Sequence, residues 1–331
     1  MKMNSMKTLL MLMMFMSTML TISSTNWMGM WMGMEMNLMA FIPYMTVMKN
    51  KKSSKAIMIY FMVQSMGSMI MLFGILMNSF ITISYLMEKE IVMMTIMLGL
   101  ILKMGAAPLH FWMVEMAQHM NWSSLMILMS WQKIAPMYVL SNMITMNLFT
   151  VIIIIMSAMV GAIGGINNTN LQKIMTFSSI NHMSWMLLMM INKTQWMVYL
   201  MIYSIMVIMA CSFFKKFKAN YLNQLNIIPM SMMEKYTLAS ILLSMGGLPP
   251  FLGFLPKWMV IESMINSNLM ILITLLMMLS LITLFYYMRM VSSLLMMFNA
   301  NNKWMVINKN NISMIFIINC SLPLFSSISF F

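Results

Sequence analysis

The chain of 331 residues is 62% hydrophobic and only 8% charged, with a mean hydropathy of +0.86. Soluble domains carry about 25% charged residues, so this composition excludes a water-soluble globule, and it equally excludes an intrinsically disordered chain. The net charge of +13 does not indicate nucleic-acid binding, because the lysines occur in short clusters between apolar runs rather than along one basic face. A membrane protein is the class that remains.

Methionine accounts for 61 residues, and aspartate does not occur. Methionine fills apolar helix surface as leucine does, so packing alone does not require so many. We hypothesise a genetic code that reads an isoleucine codon as methionine, as in many animal mitochondria. The two cysteines, Cys211 and Cys320, are too few for a disulfide framework or a metal cluster.

Apolar segments long enough to cross a bilayer, which takes about 20 residues, follow one another along the chain. We predict eleven spans, at 6–22, 28–48, 57–78, 91–116, 123–146, 148–166, 171–191, 195–214, 237–264, 268–293 and 312–331. The apolar runs are continuous rather than alternating, which argues against a β-barrel. The prediction is an all-α polytopic membrane protein that forms a single transmembrane domain over residues 1–331.

The lysines between the spans sort strongly by side. With eleven spans, thirteen fall on the side of the N-terminus, and only Lys89 and Lys193 fall on the other. The thirteen are Lys2, Lys7, Lys49, Lys51, Lys52, Lys55, Lys173, Lys215, Lys216, Lys218, Lys235, Lys303 and Lys309. By the positive-inside rule the N-terminus faces the matrix, if the protein is mitochondrial, and the C-terminus faces the intermembrane space.

Ionisable residues inside the predicted spans are the first functional signal. They are Glu35, Lys103, Lys133 and Lys257, while Arg289 lies near a span end and is predicted to snorkel toward the membrane surface. Each buried charge costs at least ~2.5–3.5 kcal/mol on insertion scales. Four of them therefore predict a hydrated or mutually paired interior.

Glu35 lies about 12 Å deep in its span, at a rise of 1.5 Å per residue. Gly29 and Gly33 precede it and allow a neighbouring helix to approach closely. One interpretation is a protonated glutamic acid buried in a helix contact. The other is a carboxylate that a nearby lysine controls and that loads and releases a proton.

Two spans contain strong helix-breaking sequences beside a lysine. Gly105 and Pro108 follow Lys103 in LKMGAAPLHFW. Three prolines precede Lys257 in SMGGLPPFLGFLPKWM. Those prolines are Pro249, Pro250 and Pro256. A broken helix exposes carbonyls that are tolerated only in a protein interior or a wet cavity.

The two broken spans are the fourth and the ninth, and this odd offset predicts two units of inverted topology. We assign them to 1–146 and 148–293, with 312–331 as a C-terminal helix. The glycines of AIGGIN, residues 162–167, follow an apolar span and open no nucleotide-binding unit, so we interpret them as close helix contacts.

Lysine and histidine both exchange protons when they are buried in a suitable setting. His182 lies mid-span in FSSINHMSWM, and together with Glu35, Lys103, Lys133 and Lys257 it fits a proton relay. The alternative is that each lysine is a fixed cation that pins a broken helix. The chain shows no phosphate loop, dinucleotide fingerprint or Cys/His cluster, so we expect it to bind no cofactor and carry no electrons itself.

Five motifs jointly resemble the mitochondrially encoded antiporter-like membrane subunits of respiratory complex I, NADH:ubiquinone oxidoreductase, of the arthropod kind. They are NWMGMWMGMEMN, LKMGAAPLHFW, SWQKIAP, GAIGGINNTNLQKIMTFSSINHMSWM and GGLPPFLGFLPKWM, between residues 26 and 259. The resemblance implies two inverted five-helix repeats with broken helices and a shortened N-terminus relative to bacterial relatives. It also implies a part in proton pumping across the mitochondrial inner membrane.

The resemblance also implies site residues, partners and cofactors. The family's membrane glutamate falls on Glu35, its broken-helix lysines on Lys103 and Lys257, its central lysine on Lys133 and its histidine on His182. The partners are other membrane-arm subunits, including antiporter-like neighbours, and membrane lipids. FMN, iron–sulfur clusters and quinone belong to other subunits. The alternatives are a free-standing cation/proton antiporter and a structural scaffold without its own proton path.

Overall fold

The computed structural model describes residues 2–46, 51–80, 87–192, 195–228, 230–265 and 269–296, together with Asn319. Within these residues the chain forms fourteen α-helices and one 3-10 turn, and it forms no strand. This confirms the predicted all-helical class. Apart from Asn319, the predicted helix at 312–331 lies outside the described residues.

The helices follow the predicted spans closely, although several spans consist of more than one helix. They are α1 (Lys2–Ser23), α2 (Trp27–Thr46), α3 (Lys51–Phe80), α4 (Met87–Met104), α5 (Phe111–Ala117), α6 (Trp122–Met129), α7 (Ile134–Ser141), α8 (Leu148–Gly164), α9 (Leu171–Ile191), α10 (Trp196–Phe217), α11 (Leu222–Ile227), α12 (Met232–Gly246), α13 (Phe254–Ile265) and α14 (Met270–Met296), with the 3-10 turn at Trp131–Lys133.

Five described helices are both long and apolar enough to cross a bilayer. They contain the segments Ser5–Ser23, Ser53–Asn78, Leu171–Ile191, Trp196–Phe217 and Met270–Leu295, and Leu148–Gly164 is a shorter apolar helix. A multispanning membrane protein is therefore supported by length and composition, while the count of eleven spans stays a prediction.

The predicted span 123–146 is interrupted, contrary to expectation. The structure divides it into α6, the 3-10 turn and α7, and α7 ends at Ser141. Pro136 explains the interruption, because it has no N–H to donate to the carbonyl of Gln132 four residues earlier. The structure also forms α11, a short helix between α10 and α12 where no span is predicted.

The described helices divide between two compact units, unit 1 at Met1–Ile153 and unit 2 at Ile154–Phe331. The boundary lies a few residues after the one predicted between the two repeats. The inverted relation of these repeats stays a prediction.

In unit 1, neighbouring helices approach one another closely at glycines. A Cβ at Gly33 in α2 would clash with Thr21 of α1. Gly67 of α3 and Gly99 of α4 face one another, since a Cβ on Gly99 would lie 2.8 Å from the carbonyl oxygen of Gly67. Small residues at these points let helix backbones approach closely, as the sequence predicts for Gly33.

Unit 2 is built around α9, whose apolar window is 94% buried. Helix α8 approaches it through glycines, because a Cβ at Gly161 would lie 2.6 Å from the amide nitrogen of Asn181 and one at Gly164 would overlap the Phe177 ring. This confirms close helix contact for the glycine-rich segment. Helix α12 begins with a capping box, in which Ser231 and Glu234 satisfy each other's backbone N–H groups.

Candidate functional site

The first broken helix lies in unit 1 and leaves Lys103 in the last turn of α4. The chain departs from helical geometry at Gly105, which has a φ of +70°, and α5 begins at Phe111. Leaving the helix frees the last carbonyls of α4 from their usual partners. The Gln64 side chain of α3 donates to the carbonyl oxygen of Lys103 at 2.9 Å, so that this buried acceptor is satisfied.

Lys103 faces the carboxylate of Glu35. Its Nζ lies 3.6 Å from Glu35 Oε1, and the side chains are 5% and 24% exposed, respectively. Gly67 makes room for the lysine, because a Cβ there would lie 2.9 Å from Lys103 Cγ. Of the two interpretations of Glu35, the geometry favours a carboxylate under the influence of a lysine.

Lys133 lies in the 3-10 turn and is 3% exposed. It lines the same small cavity as Lys103, and the cavity has about 30 Å³ for the centres of water molecules. One water needs ~10–15 Å³ on that measure, so the cavity has room for about two. The other side chains with polar atoms that line it are Asn37, Tyr60, Gln64, Trp112 and Gln132.

A hydrogen-bonded bridge crosses one side of this cavity. Gln132 Nε2 donates to Asn37 Oδ1 at 3.1 Å, and the Tyr60 hydroxyl donates to Gln132 Oε1 at 3.4 Å. The bridge joins α2, α3 and the 3-10 turn beside Lys133. Sequence reasoning missed these three residues, although an amide inside an apolar span is a signal that could have revealed Asn37 and Gln132.

The second broken helix lies in unit 2. Helix α12 ends at Gly246, and Gly247 has a φ of +79°, which only glycine adopts readily. Pro249 and Pro250 occupy the break, whereas Pro256 lies in the first turn of α13, where a missing N–H is tolerated.

Lys257 follows in α13, buried and 4% exposed. Its Nζ donates to the carbonyl oxygen of Gly246 at 2.7 Å, at the C-terminus of α12. A helix C-terminus carries partial negative charge and stabilises an ammonium group there. The same Nζ lies 5.9 Å from the centre of the Trp185 ring of α9.

His182 precedes Trp185 by one turn of α9 and is 2% exposed. Its Nδ1 lies 2.9 Å from the Tyr199 hydroxyl of α10, and its ring centre lies 5.0 Å from that of Tyr203. The five predicted relay residues thus fall into two groups. Lys103 and Lys133 line the cavity of unit 1, with Glu35 beside Lys103. In unit 2, His182 lies in α9, and Lys257 packs near Trp185 of the same helix.

The structure gives Arg289 specific partners, while its predicted snorkelling toward the membrane surface stays a prediction. Its guanidinium donates to the carbonyl oxygens of Ile166 and Asn168, in the loop after α8. A half-buried guanidinium is stabilised by such carbonyls because its fixed N–H groups satisfy acceptors that the end of the helix leaves open.

Residues 24–283 match the family model described as NADH:quinone oxidoreductase/Mrp antiporter, transmembrane. The chain is 41% identical to NADH-ubiquinone oxidoreductase chain 2 of Locusta migratoria, over 98% of this chain and 94% of that one. It is 42% identical to the protein of the same name from Anopheles gambiae, over 92% of each.

Two solved structures show the same fold. A chain of respiratory complex I from Thermus thermophilus with bound aureothin matches with a TM-score of 0.80 at 18% identity, over 87% of this chain and 70% of that one. A chain of the Mrp complex from Dietzia sp. matches with a TM-score of 0.78 at 14% identity, over 86% of this chain and 59% of that one. At these identities the likeness concerns the fold alone.

Proposed function

Because the chain belongs to the NADH-ubiquinone oxidoreductase chain 2 family, we propose that it is a membrane subunit of mitochondrial respiratory complex I. In this role it lies in the inner membrane beside antiporter-like and other membrane-arm subunits, and it contributes to proton translocation. The oxidation of NADH and the reduction of ubiquinone belong to the assembly. FMN, the iron–sulfur clusters and the quinone site lie in other subunits.

The observation that carries the proton-moving role is the cavity of unit 1. Lys103 and Lys133 line the same water-sized space, and Glu35 lies 3.6 Å from Lys103. At that distance, the Coulomb energy between a charged Glu35 and the Lys103 ammonium is about 5 kcal/mol for an effective dielectric constant of ~20, and water at the partly exposed Glu35 reduces the net coupling to about 1–3 kcal/mol. That exceeds thermal energy several-fold, so protonation of one group controls protonation of the other.

The proposed mechanism is electrostatic. A charge change at Glu35, driven by a neighbouring subunit during redox turnover, releases or recruits a proton at Lys103. Water in the cavity carries the proton to Lys133, and the route continues by His182 toward Lys257. The chain supplies the groups that hold protons, while the driving energy comes from the assembly.

We also propose an orientation. The sorting of thirteen lysines against two supports an N-terminus in the matrix and a C-terminus in the intermembrane space. Under this orientation, the ends of α10 and α12 that carry Lys215, Lys216 and Lys235 face the matrix.

Replacing Lys133 by methionine tests the relay in the assembled complex. Methionine is unbranched and apolar, so it fills a similar space without a titratable amine. We expect Lys133→Met to lower the number of protons pumped per electron while NADH oxidation continues. The readout is proton translocation in sealed vesicles against NADH consumed, and the control is Lys215→Met, which removes an exposed lysine at the end of α10.

An unchanged proton-to-electron ratio in Lys133→Met would favour the scaffold alternative, in which the buried lysines only support assembly. The antiporter alternative predicts proton flux against a cation gradient by the isolated chain in liposomes, without NADH.

A further inference from the structure

The turn that carries Lys133 does not belong to a continuous helix. It is the 3-10 turn Trp131–Lys133 between α6 and α7. Pro136 cannot donate to the carbonyl of Gln132, so one helical hydrogen bond across the turn is missing. The position of Lys133 therefore depends on the side-chain contacts that tie this turn to other helices.

Two neighbours of Lys133 in the turn provide such contacts. The Trp131 ring packs edge-to-face on Phe15 of α1, with ring centres 4.2 Å apart. Gln132 Nε2 donates to Asn37 Oδ1 of α2 at 3.1 Å, and the Tyr60 hydroxyl of α3 donates to Gln132 Oε1 at 3.4 Å. The second bond is the weaker one, because hydroxyl donors usually lie roughly 2.5–3.0 Å from their acceptors. Gln132 is thus the polar anchor of the turn.

The same two helices also contact the segment that carries Lys103. On α2, Glu35 precedes Asn37 by two residues, and its Oε1 lies 3.6 Å from Lys103 Nζ. On α3, Gln64 follows Tyr60 by one turn and donates to the Lys103 carbonyl oxygen at 2.9 Å. Helices α2 and α3 therefore each contact both lysine-bearing segments, and the separation of the two lysines depends on these bonds.

The bridge consists of groups that keep their charge. The amides of Asn37 and Gln132 are neutral and do not titrate, so their hydrogen bonds persist whether Glu35 and Lys103 are charged or neutral. Asn37 is 4% exposed and Tyr60 is 3% exposed. Burying such polar groups is unfavourable unless they are bonded to one another, as they are in this bridge. The result is a constant frame around groups whose charge changes.

We propose that Gln132 is a positioning residue of the proton relay, and that its bridge to Asn37 and Tyr60 holds Lys133 at the cavity within reach of Lys103. In this step a proton leaves the Lys103 ammonium, passes along water in the cavity and arrives on the neutral Lys133 amine. Gln132 takes up no proton itself. The cavity has room for about two waters, so a displaced turn would interrupt the hydrogen-bonded connection. The proposal rests on the proposed function, since the position of Lys133 matters only if protons pass through it.

Replacing Gln132 by leucine tests this role in the assembled complex. Leucine is of similar size and has no amide. We expect the proton-to-electron ratio of Gln132→Leu to fall toward that of Lys133→Met, while NADH oxidation with the gradient collapsed stays at the wild-type rate. The control is Gln118→Leu, because Gln118 follows α5, has the His119 ring as its partner and does not line the cavity.

An exchange of the two amides distinguishes positioning from space filling. Gln132→Asn shortens the bridge by one methylene and Asn37→Gln lengthens it by one, so the combined variant Asn37→Gln/Gln132→Asn restores its total length. We expect each single change to lower the proton-to-electron ratio and the combined variant to recover most of it. Tyr60→Phe should lower the ratio less than Asn37→Leu does, because it removes only the longer hydrogen bond.

A wild-type ratio in Gln132→Leu would overturn the positioning role, and so would a low ratio that the amide exchange leaves unchanged. If Gln132→Leu assembles poorly, Asn37→Leu takes its place, since it breaks the bridge and leaves the sequence of the turn intact. Lys133→Met separates the two proposals. A reduced ratio there with a normal ratio in Gln132→Leu rejects the role of Gln132 alone, whereas a normal ratio in Lys133→Met rejects the proposed function and the role of Gln132 with it.

Discussion

Two buried lysines, Lys103 and Lys257, have partners of different chemistry. Lys103 faces a carboxylate, because Glu35 Oε1 lies 3.6 Å from its Nζ. Lys257 instead donates to the backbone carbonyl of Gly246 at 2.7 Å. A carboxylate changes charge when it takes up a proton and a carbonyl does not. The first lysine therefore responds to its partner's protonation, and the second keeps a constant partner.

A double-mutant cycle on Glu35 and Lys103 measures this coupling at the scale of single residues. We expect Glu35→Gln and Lys103→Gln each to destabilise the assembled complex and reduce pumping, and the double variant to be no worse than the worse single one. The coupling should be about 1–3 kcal/mol, below the ~3–5 kcal/mol lost when a fully buried pair is broken, because Glu35 is partly exposed. Thermal inactivation and pumping rate are the measurements.

The pair Lys55 and Glu115 is the matched control for that cycle. Its atoms are closer, at 2.6 Å, but the side chains are 58% and 50% exposed. Exposed pairs contribute less than about 1 kcal/mol because water screens them. Stronger coupling in the exposed pair would contradict the argument that burial rather than distance sets the strength of the Glu35–Lys103 interaction.

At the scale of elements, the broken helices depend on glycines that occupy special backbone positions. Gly247 has a φ of +79°, and a Cβ added there would lie 2.7 Å from Lys257 Nζ. The neighbouring Gly246 is the last residue of α12. A Cβ added there would make only an ordinary van der Waals contact, because the nearest atom would lie 3.6 Å away. Two adjacent glycines therefore differ sharply in what a methyl group would meet.

Gly247→Ala is expected to destabilise the assembled complex by about 1–3 kcal/mol, because alanine is strained at positive φ and its methyl group displaces the Lys257 amine. Gly246→Ala should be tolerated. The amount of assembled complex and its inactivation temperature distinguish the two, and pumping per electron reports whether Lys257 has moved. Equal effects of the two substitutions would refute this account of the break.

The sequence predicts elements well where the signal is local. Helix α9 covers 171–191 as predicted, because Asn170 caps its start by accepting from Gln172 N. The breaks near Gly105 and Gly247 follow from adjacent prolines and glycines. The sequence does not predict the 3-10 turn. Pro136 removes the hydrogen bond to the carbonyl of Gln132, four residues earlier, and the residues around Gln132 themselves contain no helix-breaking signal.

Contacts between distant segments were less accessible to sequence reasoning. The Glu35–Lys103 distance depends on how α2, α3 and α4 pack, which the chain order does not specify. The buried tyrosines Tyr60, Tyr199 and Tyr203 were missed for another reason. Hydropathy reading counts tyrosine as an apolar residue in a span, so its hydroxyl leaves no trace in the pattern.

At the scale of the whole molecule, the long helices differ in how far each unit encloses them. In unit 2, α9 is 94% buried in its apolar window and α14 only 39%. In unit 1, the windows of α1 and α3 are 28% and 33% buried. The less buried helices offer large apolar faces to lipid or to neighbouring subunits, and the polar chemistry of unit 2 is centred on the helix that lipid does not reach.

Cysteine labelling tests the proposed orientation of the whole chain. In a variant with Cys211 and Cys320 replaced, Gln195→Cys lies at the start of α10 and Asn220→Cys lies after its end, and both positions are exposed. We expect an impermeant thiol reagent to modify position 195 from the intermembrane space and position 220 from the matrix. Modification with the opposite sidedness would reverse the topology.

Acidic side chains are scarce in this chain, and two of its cations, Lys257 and Arg289, bind backbone carbonyl oxygens instead of carboxylates. The chain has six glutamates and nineteen basic residues, and both Lys257 and Arg289 rely on main-chain oxygens. A main-chain dipole neither gains nor loses hydrogen ions, so its pull on these cations is the same in an acidified or an alkaline compartment. If Lys257 gives up its proton, as the proposed relay requires, no unpaired carboxylate is left behind in the protein interior. Under the proposed relay, Lys257 of unit 2 changes between its charged and neutral forms without leaving an opposite charge unpaired beside it.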